Sequence, residues 1–123
     1  MKTLLLSLAL LVTCPAWAEW VLVGGSKEAF AYIDSTTIRR DGNLRKVWVL
    51  FDKKQRDAYG NLSARMRNEY DCSQEKYRNL TFTAFFEPMG DGKIGYSDSS
   101  ISQWTDIAPG TIDNTILRFV CTQ

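Results

Sequence analysis

Two cysteines in segments of different periodicity constrain this chain more than any other feature. Cys72 ends a stretch in which Arg65, Arg67, Glu69 and Asp71 alternate with Met66, Asn68, Tyr70 and Cys72, the two-residue period of a strand with one charged face and one inward face. Cys121 lies near the end of a segment with helical spacing. There Ile112, Ile116, Leu117, Val120 and Cys121 share one side, Thr111 follows the Pro109-Gly110 break as a cap, and Asp113 and Arg118 suit the helix dipole. A bond between the two thiols fastens a C-terminal helix onto the inward face of a sheet.

Whether the thiols bond depends on compartment, and the N-terminus speaks to that. Lys2 precedes an apolar run over residues 4–12, and Ala16-Trp17-Ala18 supplies the small-x-small pattern of a signal-peptidase site. Residues 1–18 therefore read as a secretory signal peptide and residues 19–123 as a single domain beginning at Glu19. The apolar run is shorter than the roughly 20 residues a spanning helix needs, and no later segment reaches that length. Leu11-Val12-Thr13-Cys14 is a competing, partial lipoprotein box, in which Thr13 stands where Gly, Ala or Ser is usual. The expected product is exported, periplasmic or extracellular, with a lipid anchor at Cys14 as the lesser alternative.

Export leaves Cys72 and Cys121 as the only cysteines in an oxidising compartment, so they are expected to pair. A loop of about 50 residues closed in this way is worth on the order of 4 kcal/mol in the chain-entropy model. A reactive thiol is the weaker reading, because the 123 residues contain no histidine to act as its base and no Cys-x-x-Cys pair.

The rest reads as short strands and turns. Strands are expected over residues 20–23, stopped by Gly24-Gly25, and 30–33, ended by Asp34-Ser35-Thr36-Thr37. Asp41-Gly42-Asn43 makes a hairpin loop into residues 46–52, which are apolar on both faces and so central. Residues 53–63 form a polar connection. Leu80, Phe82, Ala84 and Phe86 share one face of the next strand, and Gly90-Asp91-Gly92 turns it into a last strand at 94–97. The fold class is α+β and mostly β: about six antiparallel strands with one C-terminal helix.

Glu19-Trp20, Tyr32-Ile33-Asp34, residues 47–52 (Val-Trp-Val-Leu-Phe-Asp), Tyr70-Asp71-Cys72, Tyr96-Ser97-Asp98, Trp104, Pro109-Gly110 and Cys121 follow one another in an order that resembles the surface-adhesin protein E-like family of Gram-negative bacteria. The resemblance runs the length of the exported chain. It implies a curved six-stranded antiparallel sheet with the helix tied by the disulfide to its concave side. It also implies a lipid-anchored outer-membrane adhesin that binds host matrix proteins such as laminin and vitronectin.

Chemistry is sparse. With no histidine, free thiol or Gly-x-Ser-x-Gly elbow, no enzyme activity and no cofactor are expected. Asp52, Asp57, Asp71, Asp91 and Asp98 lack the alternation of a calcium loop, so no metal site is expected. The leader's one charge is Lys2, which leaves fourteen cations and fourteen acids, spread along the chain; nucleic acid is not an expected partner. Arg39-Arg40, Arg45-Lys46 and Lys53-Lys54-Arg56 flank the third strand, and Arg65 and Arg67 share the outer face of the fourth.

Together these form a candidate positive patch, with Lys53, Lys54, Arg56, Arg65 and Arg67 as its binding residues for a protein or acidic polysaccharide. The competing reading is a solvated strand face neutralised by Asp52, Asp57, Glu69 and Asp71. Two functions follow: an adhesin-like binding module engaging host matrix or an envelope partner, or a periplasmic accessory or inhibitor protein. A homodimer stays open.

Overall fold

The computed structural model describes residues 18–123; the expected leader up to residue 17, Cys14 included, lies outside the described residues. Six strands pair antiparallel in chain order: β1 (Trp20–Gly25), β2 (Ala29–Asp41), β3 (Leu44–Lys53), β4 (Ser63–Asp71), β5 (Lys76–Phe85) and β6 (Ile94–Asp98). A two-residue β7 (Thr105–Asp106) pairs with the end of β5 that β6 leaves free, at Lys76 and Tyr77. Helix α1 (Ile112–Cys121) follows. No helix among the described residues is long and apolar enough to cross a membrane.

One sheet face carries the core. Ala31 and Ile33 of β2, Val47 and Val49 of β3, and Ala64, Met66 and Tyr70 of β4 project to the same side and meet Ile116, Leu117 and Val120 of α1. The helix lies over β1 to β3. Thr111 caps it as expected, its hydroxyl accepting from the Asn114 amide at 3.3 Å. Gly24 is what lets the helix approach β1, since a Cβ there would sit 3.3 Å from the Thr115 methyl. Cys72, one residue past β4, is bonded to Cys121 with the Cα atoms 5.7 Å apart, so the expected disulfide and its role in tying the helix are both present.

The opposite face is partly covered as well. Leu50, paired with Tyr32 and Arg65, is fully buried there beneath a single 3-10 turn, Pro88–Gly90. That turn is fastened by Ser63, whose hydroxyl donates to the Glu87 carbonyl at 2.6 Å and accepts from the Gly90 amide at 2.8 Å. β3 is thus apolar on both faces because both faces are roofed, by α1 on one side and by this turn on the other.

The structure corrects three expectations. Gly24-Gly25 does not stop the first strand, which runs through both glycines after a register shift at Val23. Asp34-Ser35-Thr36-Thr37 does not end the second strand, which continues to Asp41 across an irregularity between Asp34 and Arg39. Asp34 Oδ1 accepts from the Thr36 amide and hydroxyl, at 3.1 and 2.6 Å. The Thr37 hydroxyl donates to the Asp34 carbonyl at 2.7 Å and accepts the Trp48 amide at 3.1 Å, so a side chain carries the ladder across the bulge. In β5 the expected alternation is broken at Leu80: Arg67 pairs with Thr81 but Asn68 with Asn79. Phe82 and Ala84 keep the core side, while the residues before the bulge change register, so that Tyr77 stacks on Tyr70 with ring centroids 6.0 Å apart.

Candidate functional site

The five expected binding residues do not form one patch. Lys53 ends β3 and, with Lys54 and Arg56 of the β3–β4 connection, borders a trough on the helix-bearing side; Arg65 pairs with Leu50 and Arg67 with Trp48, on the opposite face. Strand alternation decides this, because Lys53 shares the parity of Phe51 and the two arginines share that of Leu50.

On the helix-bearing side, the sheet beyond α1 is open. Residues 53–57 form one wall of a trough of about 670 Å³ floored by Ala29, Phe51, Ala64, Met66 and Phe82. A second cleft of about 500 Å³, between Tyr59, Phe82 and Tyr96, adjoins it across Asp57. Asp57 is the hub of the loop. Its Oδ2 takes the Lys53 ammonium at 2.7 Å, and its Oδ1 takes the Tyr59 and Asn61 amides at 2.9 and 3.0 Å. The lysine bond, with the two amides, brings its carboxyl down to about 2.

Arg56 reaches across to the β5–β6 turn, donating to the Gly60 and Phe86 carbonyls at 3.0 and 2.6 Å and lying 3.9 Å from Glu87. Lys54 sits 4.6 Å above the Phe30 ring. All three cations of this cluster are therefore engaged within the chain, and they position the loop as well as charge it. Behind the loop, Asn61 packs where a Cβ on Gly95 would stand.

The opposite face is built differently. The Arg65 guanidinium lies between two rings, 5.5 Å from Trp48 and 5.4 Å from Phe85. Among the described residues no carboxylate lies within ion-pair distance of it. It borders a pocket of about 500 Å³ with Trp20, Asp34, Thr36, Thr37 and Trp48. Farther along, Arg78 clasps the buried Glu69 at 2.7 Å and stacks 4.5 Å beneath Trp104, pinning the segment that leads to β7. Among the expected acids, Glu69 and Asp57 are thus paired in place, whereas Asp52 is spent on the Met89 amide at 3.0 Å and Asp71 on the turn after β4.

A family model for surface-adhesin protein E matches residues 20–122. The chain belongs to that family. Solved structures agree on the fold: crystal form II of Haemophilus influenzae protein E superposes with a TM-score of 0.65 at 14% identity, over 88% of this chain and 91% of that one. Protein E from non-typeable Haemophilus influenzae superposes with a TM-score of 0.58 at 15% identity, over 88% of this chain and 78% of that one. No curated protein sequence matches the chain.

Identity this low carries the fold and leaves side-chain chemistry to be read from this chain itself. The architecture that the resemblance implies, a six-stranded sheet with a disulfide-tied C-terminal helix, is the one this chain has. No group of three or more potential metal ligands occurs among the described residues. The pocket beside Arg65 went unread in the sequence because its parts are dispersed: Trp20, the Asp34-x-Thr36-Thr37 bulge, Trp48 and Arg65 come from four strands. The one local signal was the Asp-Ser-Thr-Thr run, which reads equally well as a turn.

Proposed function

We propose that residues 19–123 are an exported, non-enzymatic binding module of the cell envelope, released by cleavage after Ala18, that engages a protein ligand as a surface adhesin does. The observation that carries this reading is the family match over residues 20–122, joined to a fold whose two faces both keep open, side-chain-lined depressions. The disulfide suits an oxidising compartment. The family supports a host matrix protein as the ligand. The trough on the helix-bearing side, with its apolar floor and cationic wall, is the protein-binding surface in this reading. A periplasmic accessory role is the second reading, favoured by the imperfect lipoprotein box at Cys14.

Binding of the exported protein to immobilised laminin and vitronectin tests the proposal. Saturable binding that weakens when Lys53, Lys54 and Arg56 are neutralised supports it. Because Lys53 and Arg56 also hold the loop, the Lys54→Gln variant, which leaves those bonds intact, separates loss of charge from loss of loop geometry. No binding to either protein removes the matrix-adhesin reading.

A further inference from the structure

Arg65 is the one cation in the candidate set that lies against two aromatic rings and has no acceptor among the described residues. Two aromatic rings flank this exposed side chain, at 5.5 and 5.4 Å, and among the described residues its N–H groups meet no hydrogen-bond acceptor and no carboxylate. The pocket beside it offers the complementary groups. Trp20 and Trp48 present indoles that donate to no described residue. Thr36 and Thr37 also line it with hydroxyls already bonded within the bulge, and Asp34 uses only Oδ1 internally, for the Thr36 amide and hydroxyl. A fork of N–H donors fits a carboxylate in bidentate fashion. Flat indole faces fit the apolar face of a sugar ring, and a carboxylate with one free oxygen accepts a hydroxyl.

We infer that this pocket binds an acidic sugar unit, with the sugar carboxylate on Arg65, a ring face against Trp48 or Trp20, and a hydroxyl donating to Asp34 Oδ2. A peptide of acidic residues alone would satisfy Arg65 but would bring neither a flat ring face to the indoles nor a hydroxyl matched to Asp34. The inference rests on the binding-module reading and adds a second ligand site on the opposite face from the trough.

Indole fluorescence of the exported protein, titrated with a tetrasaccharide of alternating glucuronate and N-acetylglucosamine, tests this. A Trp104→Phe background removes the indole that stacks on Arg78 and leaves Trp20 and Trp48 to report. The expected result is saturable quenching that Arg65→Gln weakens by about tenfold or more, with Arg65→Lys between the two. A neutral N-acetylglucosamine tetrasaccharide should bind at least about tenfold more weakly, and Arg118→Gln, exposed on α1 and so on the other face, should bind nearly as the parent does.

Equal binding by Arg65→Gln, by the neutral tetrasaccharide, or by a glutamate decapeptide overturns the inference, as does the absence of quenching with folding verified by circular dichroism. Matrix-protein binding without sugar binding removes this inference alone; sugar binding without matrix-protein binding keeps the pocket and removes the trough's proposed partner.

Discussion

Replacing both Cys72 and Cys121 by alanine should expose how much of this domain's stability is covalent. The cysteines are 49 residues apart in sequence, and the chain-entropy expression for a loop of that length gives about 4 kcal/mol at 25 °C. Both side chains are only half-buried and each change removes a single sulfur, so the packing loss adds little. For a domain whose whole stability is on the order of 5–15 kcal/mol, a loss of about 3–5 kcal/mol is a large share.

The loss should also be uneven. At ten residues α1 is too short to persist alone, and with the bond gone it is held by Ile116, Leu117 and Val120 against β1 to β3. Urea unfolding gives the free energy, and hydrogen exchange gives the distribution: α1 amides should lose protection before those of β3. A double variant within about 1 kcal/mol of the parent, or one whose α1 amides stay as protected as those of β3, would refute the reasoning.

Four further outcomes follow from particular contacts. Gly95→Ala drives a Cβ into Asn61 Oδ1 and should cost about 1–3 kcal/mol in urea unfolding. Thr37→Val removes the hydroxyl that accepts the Trp48 amide and should cost about 1–3 kcal/mol, with faster exchange at that amide. Arg78→Ala leaves the buried Glu69 carboxylate unpaired and uncovers Trp104; a cost of about 2–4 kcal/mol and a red-shifted indole emission are expected. Asp57 sits at about 2 in the folded chain, below the ordinary aspartate value of about 3.9. Its contribution is therefore present above pH 4 and lost as pH falls from about 4 to about 2, and Asp57→Asn should flatten that part of the acid-unfolding profile.

What could be read from the sequence was the part that depends on period and on cysteine position. The alternation in β4, the helical spacing after Thr111 and the pairing of Cys72 with Cys121 each follow from local rules, and each is present in the fold. What escaped depended on side chains replacing backbone. Asp34 and Thr37 turn an apparent strand end into a bulge, and Leu80 shifts the register of β5, events that alternation alone does not reveal. The candidate site escaped for a related reason. Alternation in β4 places Arg65 and Arg67 on the outer face, but strand parity through the end of β3 turns Lys53 to the other face, and the bonds of the loop beyond it, which hold Arg56, carry no period to read.

Labelling of intact cells with antibody against the folded domain tests the central claim most directly, with a periplasmic protein as the permeability control. A surface-displayed binding module predicts labelling of intact cells while the control stays dark. Labelling that appears only once the outer membrane is permeabilised would contradict surface display and leave the periplasmic accessory role in its place.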